Sequence, residues 1–166
     1  MAWFLTALAI LLLGGVVSFA FGSSARGACI VGAVSASAGS LAALIPSLGV
    51  LLSGQTQSLQ IEWSVPFGSA SITLDPLSAV FAIVIALVTL LAAIYGSEYL
   101  RTHAGTKNLG PAWFFFNLLT ASLLTVVVAR NGVLFLMSWE LMSLASFFLV
   151  THESEKESVR RAGWIY

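Results

Sequence analysis

The chain has 166 residues, of which 58% are hydrophobic and only 8% are charged, whereas a soluble domain carries about 25% charged residues. Seven basic and seven acidic side chains cannot cover the surface of a water-soluble globule of this size, so the composition excludes a soluble enzyme, a nucleic-acid-binding protein and a disordered tail. One cysteine, Cys29, excludes an intrachain disulfide framework, and His103 and His152 lie too far apart to suggest a metal site. We therefore expect an integral membrane protein without a cofactor or bound metal.

Five segments are long and apolar enough to cross a bilayer as helices, which takes about 20 residues each. They are residues 2–21, 28–53, 76–100, 111–129 and 132–151, and a sixth segment begins at Gly163. A cleaved signal peptide is disfavoured because no basic residue precedes Arg26. Pro46 is expected to kink or shorten the second helix. The predicted fold is all-α, divided into residues 1–53 with two helices, 54–75 with an outer hairpin or loop, and 76–166 with helices three to five, an inner loop and the start of helix six.

Residues 54–75 form the longest connection between the predicted helices. Apolar residues alternate with polar ones from Leu59 to Val65, and Pro66 and Gly68 follow. This period-2 pattern is typical of a β-hairpin, which we expect to lie at the membrane interface with Trp63 as an anchor. An irregular loop with chance alternation remains the alternative. Asp75-Pro76 then predicts a capped start for the third helix.

The basic residues are distributed unequally between the two sides of the predicted bundle. The loops 22–27, 101–110 and 152–162 carry six of them, and the opposite loops carry only Arg130. Basic residues favour the cytoplasmic side. We therefore expect a multi-pass protein of the inner (plasma) membrane with its N-terminus outside and residues 152–162 in the cytoplasm.

Glu140 is the one charge that this topology does not explain. It lies near the middle of the fifth predicted helix, where a charge costs at least about 2.5–3.5 kcal/mol. Its side chain is too short to reach water from there, so it should face protein or a hydrated cavity. Because burial raises the pKa of a carboxyl group and a nearby cation lowers it, such a residue can take up and release a proton. The alternative is that Glu140 only fixes helix packing.

Four small polar residues near Glu140 in the predicted bundle are candidates for a hydrated polar path. Ser143 and Ser146 share one broad side of the fifth helix with Glu140, and Asn117 and Thr120 form a pair on the fourth helix. Gly14, Gly15 and the small residues of the second helix predict close helix packing. The sequence shows no nucleophile paired with a catalytic base, no His pair and no phosphate-binding glycine motif, so we predict no catalytic site in this chain.

Residues 139–150, WELMSLASFFLV, resemble the fifth-helix signature of the antiporter-like proton-pumping subunits. These subunits occur in respiratory complex I, in multisubunit Na+/H+ antiporters and in membrane-bound hydrogenases. Residues 75–78, DPLS, are also similar to that family, and residues 160–166 lean toward its hydrogenase-4 and formate hydrogenlyase branch. The likeness covers about residues 75–166, and the first 55 residues match only as two apolar spans.

The resemblance implies that Glu140 matches a glutamate that pairs with a lysine on a later helix and drives proton movement. It also implies partners, namely other membrane subunits and a peripheral redox arm, within the lipid bilayer, with protons or Na+ as the transported ion. Family members have about 14 spans in two inverted repeats, so this chain is expected to be the N-terminal part of a longer subunit of an oxidoreductase complex. A cation/proton antiporter subunit without redox partners and a structural membrane anchor are the alternatives.

Overall fold

We describe the protein from a computed structural model, which covers residues 1–21, 24–61, 70–101 and 108–151 and, singly, residues 157 and 163. Five helices and one two-stranded sheet occur within these residues. They are α1 (Ala2–Ala20), α2 (Ala25–Ser53), β1 (Gln57–Ile61), β2 (Ala70–Leu74), α3 (Pro76–Arg101), α4 (Gly110–Val128) and α5 (Gly132–Val150). Each of the five helices is long and apolar enough to cross a membrane. The predicted all-α membrane fold with a small hairpin is confirmed.

Local side-chain chemistry determines where several helices begin. The side chain of Ser24 accepts a hydrogen bond from the backbone N–H of Gly27 (3.3 Å), so α2 begins at Ala25, three residues before the predicted start. Asp75 Oδ1 accepts from the N–H of Ser78 (2.7 Å) and caps α3 as predicted. Asn131 Oδ1 accepts from the N–H of Val133 (2.8 Å) and caps α5. Short polar side chains therefore separate long apolar segments that would otherwise have no clear starting point.

Pro46 does not shorten α2, contrary to one of the two expected effects. The helix continues through this buried residue to Ser53, and Gly54 ends it with a left-handed conformation at φ 67°. Proline removes one backbone donor, and the hydroxyl of Ser47 donates to the carbonyl of Ala43 (2.7 Å) beside it. Pro46 leaves the carbonyl of Ala42, four residues earlier, without its helical donor, and membrane helices tolerate such a loss where neighbouring helices pack closely.

The predicted hairpin is confirmed as two paired strands within the described residues. Strands β1 and β2 pair in antiparallel register, with Gln57 opposite Leu74 and Ile61 opposite Ala70. Leu74 is fully buried, and β2 packs against α3 and α4. The predicted anchor Trp63 lies outside the described residues, as do all but Gly163 of the predicted sixth helix and all but Glu157 of the inner loop 152–162.

The interior is lined by small residues and the exterior by large apolar ones. Helix α2 packs against α1 and α3, and α4 packs against α1 on one side and α5 on the other. Nine alanines of α1 to α4 have an exposed fraction below 5%. Leu52, Leu13 and Leu91, in contrast, are 86%, 66% and 67% exposed. Small residues let helices approach closely in a membrane while large ones contact lipid.

Candidate functional site

Glu140 lies on the outward face of the outermost described helix. It is the ninth of the 19 residues of α5, whose buried residues are Ser138 and Ala145. Two residues along a helix correspond to a rotation of about 200°, so Glu140 points away from the face that packs on α4. Its side chain is exposed, and it makes no hydrogen bond or ion pair with the described residues.

Large apolar side chains surround Glu140 on this outward face. Leu136 is 60% exposed, Trp139 is 47% exposed and Leu144 is 52% exposed. A carboxyl group in such a setting would contact lipid, at a cost of at least about 2.5–3.5 kcal/mol when charged. The carboxyl group of Glu140 would be more stable next to further protein or a hydrated cavity than next to lipid tails.

Ser143 lies nearer to Glu140 than Ser146 does. Three residues place Ser143 about 60° from Glu140 around α5, and six residues place Ser146 about 120° away. Both are half-buried, and the hydroxyl of Ser146 donates to the carbonyl of Ser143 (2.9 Å). Of the two, Ser143 is the better placed to share a water molecule or a proton with Glu140.

Asn117 lies instead in the middle of the bundle, where its side chain joins α4 to α2. Its Nδ2 donates to the carbonyls of Gly32 (3.1 Å) and Trp113 (2.9 Å). Its Oδ1 accepts from the hydroxyl of Ser35 (3.2 Å), which also contacts the Gly32 carbonyl (3.0 Å). Asn117 is 0% exposed, so a buried amide is matched by donors and acceptors on the facing helix, as buried polar groups require.

Two glycines allow the helices to meet around Asn117. A Cβ atom on Gly32 would lie 2.4 Å from the Cβ of Trp113, and one on Gly14 would lie 2.0 Å from the Cβ of Ser35. Both distances are far shorter than carbon atoms tolerate, since the optimum is about 3.5–4.0 Å. The predicted close packing at Gly14, Gly15 and the small residues of α2 is therefore present.

Thr120 belongs to the contact between α4 and α3. Its hydroxyl donates to the carbonyl of Phe116 (3.0 Å) and lies 3.5 Å from the hydroxyl of Thr89. Thr120 and Asn117 thus both face the interior formed by α1 to α4, whereas Glu140 faces outward from α5. The structure brings Asn117 together with Ser35 and Thr120 together with Thr89, and it does not bring either pair together with Glu140.

An ion pair at the end of the bundle joins three segments of the chain. The guanidinium of Arg130 pairs with Asp75 Oδ2 and donates to the hydroxyl of Ser78 (3.1 Å). The backbone N–H of Ser78, its hydroxyl and Arg130 lower the pKa of Asp75 below its ordinary value of 3.8, against an opposing effect of burial. Sequence reasoning recognised Asp75 as a helix cap and missed this pair, although the opposite charges in two connections on one predicted side were a usable signal.

Backbone contacts hold the same connection between α4 and α5. The N–H of Arg130 donates to the carbonyl of Ser71 in β2 (2.8 Å). Ala129 forms an antiparallel bridge with Ile72, also in β2. The three residues between α4 and α5 are thus all engaged, because Asn131 caps α5. No group of three or more metal-binding side chains occurs in the part of the chain that the structure describes.

Comparisons with known proteins show what this arrangement is similar to. Residues 55–108 match the family model described as NADH-Ubiquinone oxidoreductase (complex I), chain 5 N-terminus. Hydrogenase-4 component B of Escherichia coli (strain K12) is 35% identical over 111 residues, which cover 66% of this chain and 16% of that protein. The proposed antiporter subunit mnhA2 of Staphylococcus aureus is 30% identical over 109 residues, which cover 65% of this chain and 13% of that protein.

A solved structure shares the fold. A chain in the structure of the Mrp complex from Dietzia sp. DQ12-45-1b superposes with a TM-score of 0.69 at 24% identity, over 89% of this chain and 16% of that one. The chain described here thus spans only about a sixth of the length of the relatives it matches. The agreement in family model, sequence and fold confirms the resemblance inferred from residues 75–78 and 139–150. The chain is thus similar to the antiporter-like membrane subunits of complex I, Mrp antiporters and hydrogenase-4 over the parts that these comparisons cover.

Proposed function

We propose that this chain forms part of a proton-translocating subunit in a membrane-bound redox complex, with Glu140 as the residue that takes up and releases the proton. One observation carries the proposal. An acidic residue lies at mid-span of α5 on a face that no described helix covers, with no partner among the described residues. An intramembrane carboxyl group is a functional residue by default because its placement is costly.

The uncovered face of α5 supports the proposal that other membrane protein surrounds this chain. Hydrogenase-4 component B and the Mrp complex chain are several times longer than the chain described here. Protein that packs on α5 would replace lipid around Glu140. It would also supply either a basic side chain next to the carboxyl group or a chain of hydrogen-bonded water molecules. A cation close to Glu140 would favour the charged carboxylate, and movement of that cation away would favour the neutral, protonated acid. We propose this alternation as the proton-transfer step.

The polar path is proposed to enter through Ser143, the hydroxyl nearest to Glu140 on α5. Ser146 lies one turn further and is bonded to the Ser143 carbonyl, so it would extend the path along the same helix. Asn117 and Thr120 would join it only through water between α4 and α5. We place the N-terminus and the hairpin outside the cell and the 152–162 loop in the cytoplasm, because basic residues favour the inner side.

A cation/proton antiporter subunit without a redox arm is the second candidate. The likenesses to the antiporter subunit mnhA2 and to the Mrp complex chain favour it, whereas the higher identity to hydrogenase-4 component B favours the redox complex. Both candidates use the same fold and the same glutamate. Purification of the complex with or without a hydrogenase or dehydrogenase arm separates them.

The central experiment replaces Glu140 with Gln in the complex that contains this chain. Inverted membrane vesicles loaded with a pH-sensitive dye report proton translocation, and the same vesicles report turnover of the driving reaction. We expect Glu140→Gln to abolish translocation while the complex still assembles, because the amide cannot exchange a proton. Glu98→Gln, at the end of α3, is the matched control and should leave translocation unchanged.

Two results would count against the proposal. Normal translocation by Glu140→Gln would exclude the carboxyl group from the proton path. A Glu140→Leu variant that assembles and translocates normally would show that the site serves packing, as expected of a structural membrane anchor. The second variant is informative because leucine cannot bind a proton, form an ion pair or hold water.

A further inference from the structure

The helix that carries Glu140 is attached to the bundle at two places. Along its length, α5 packs on α4. At its start, the connection 129–131 docks on the hairpin through the Ala129–Ile72 bridge and the bond from the Arg130 N–H to the Ser71 carbonyl (2.8 Å). Among the described helices α5 packs extensively only on α4, so fewer contacts fix its height and rotation than fix those of the inner helices. The docked connection therefore provides the second constraint on α5.

The side chains of Asp75 and Arg130 close this connection. The two carboxylate oxygens of Asp75 have separate tasks, since Oδ1 caps α3 at Ser78 and Oδ2 pairs with Arg130. The guanidinium also donates to the Ser78 hydroxyl (3.1 Å). Both side chains are about a third exposed, at 32% for Asp75 and 39% for Arg130. The pair thus joins β2, the first turn of α3 and the start of α5 at the end of the membrane-spanning region.

We propose that Asp75 and Arg130 are positioning residues that fix the height and rotation of Glu140 within the membrane. Arg130 precedes Glu140 by ten residues, which is about 15 Å along a helix, so a shift at the connection is transmitted to Glu140 through a rigid element. The expected effect on proton transfer rests on the proposed role of Glu140. The docking of α5 itself can be tested without it.

The bridge between Ile72 and Ala129 supplies a direct test of docking. Facing residues of an antiparallel pair have Cα atoms about 4.5–5.5 Å apart, within the range that a disulfide spans. In a Cys29→Ser background, Ile72→Cys and Ala129→Cys should crosslink readily in the intact complex. Adding Arg130→Gln or Asp75→Asn should slow crosslinking by up to about fivefold, the range for an exposed ion pair. Arg26→Gln, an exposed arginine on α2, is the matched control.

Asp75→Asn separates the ion pair from the helix cap. Asparagine caps helices as well as aspartate does, so the start of α3 is retained, while the negative charge facing Arg130 is lost. Arg130→Lys keeps the charge without the planar fork that reaches both Asp75 and Ser78, so it should restore part of the crosslinking rate. Crosslinking at the parental rate in Arg130→Gln and Asp75→Asn would overturn the proposal.

Proton translocation then tests whether the position of α5 matters for function. We expect Arg130→Gln to lower the number of protons moved per turnover, and the disulfide between positions 72 and 129 to restore it until a reductant is added. The disulfide carries no charge. If it restores proton translocation, Arg130 acts by positioning α5 and not through direct participation of its charge in proton transfer. Reduced translocation that the disulfide does not restore would overturn the proposal. Normal translocation in Glu140→Gln with slowed crosslinking in Arg130→Gln would instead refute the role of Glu140 and leave the docking intact.

Discussion

Replacing Asn117 with Leu tests whether the buried amide holds α4 on α2. Leucine branches at the same carbon as asparagine, so the change removes the hydrogen bonds and leaves little empty space. The bonds lost between helices are those from Asn117 Nδ2 to the Gly32 carbonyl (3.1 Å) and from the Ser35 hydroxyl to Asn117 Oδ1 (3.2 Å). The Ser35 hydroxyl keeps the Gly32 carbonyl as an acceptor (3.0 Å), so no stranded donor adds to the cost.

The expected magnitude follows from these two bonds. Hydrogen bonds between membrane helices contribute about 0.6 kcal/mol on average and at most about 1.7 kcal/mol. Two of them give about 1–3 kcal/mol, and we expect Asn117→Leu to lower the free energy of unfolding by an amount in this range. The bond to the Trp113 carbonyl lies within α4 and should contribute little, since that carbonyl keeps its helical partner.

Unfolding of the reconstituted subunit in mixed micelles by increasing SDS, followed by tryptophan fluorescence, measures this change. Ser122→Ala is the matched control, because the Ser122 hydroxyl bonds only to the Leu118 carbonyl of the same helix (2.8 Å). We expect the control to stay within about 0.5 kcal/mol of the parent. If Asn117→Leu destabilises no more than Ser122→Ala does, the cluster around Asn117 does not hold the helices together.

Three further predictions concern other parts of the molecule. Gly32→Ala should lower the free energy of unfolding by about 1–3 kcal/mol, because the new methyl group would lie 2.4 Å from the Trp113 side chain. The same SDS titration measures this change, and Gly49→Ala, whose methyl group would meet no neighbouring atom, is the control. The lowered pKa of Asp75 means that its ionised form stabilises the fold above pH 3.8 and that this contribution is lost as the pH falls further; Asp75→Asn should remove that dependence from acid unfolding curves. A photo-crosslinker at Leu144, beside Glu140 on the outward face of α5, should capture protein in the intact complex, whereas one at the 86% exposed Leu52 should capture lipid; equal protein capture at both positions would contradict a protein-covered α5.

The positions of the helices were accessible from sequence because they depend on local properties. Apolar length fixes where a chain can cross a membrane, and the predicted spans agree with the helices to within about three residues at each end. Asp75-Pro76 marked the start of α3 through ordinary capping chemistry. The alternation from Leu59 onward indicated the strand that pairs with β2. The start of α2 was placed too late because Ser24 lies outside the apolar run that defined the span.

Which face of each helix is buried could not be predicted from the sequence in the same way. Helices in water reveal their buried side by an apolar stripe, but helices in a membrane are apolar on every side. Which side of α4 faces inward was therefore decided by close contacts, such as that of Gly32 with Trp113, and by the match of Asn117 with Ser35. Asn117 and Glu140 looked alike as polar residues in apolar segments, and only packing separated them, one inside the bundle and one outside.

The sequence by itself predicted the five membrane-spanning helices found in the described part of the chain, offered a hairpin as one of two interpretations of residues 54–75, showed the resemblance to the antiporter-like subunits, and singled out Glu140 as the one charge at mid-span. These conclusions rest on composition, apolar length and a local motif, which need no knowledge of distant contacts. Tertiary structure alone decided that Glu140 faces outward and that Arg130 pairs with Asp75, 55 residues away. Both depend on how helices rotate and dock against one another, and that is set by the fit of side chains from separate segments rather than by any one segment.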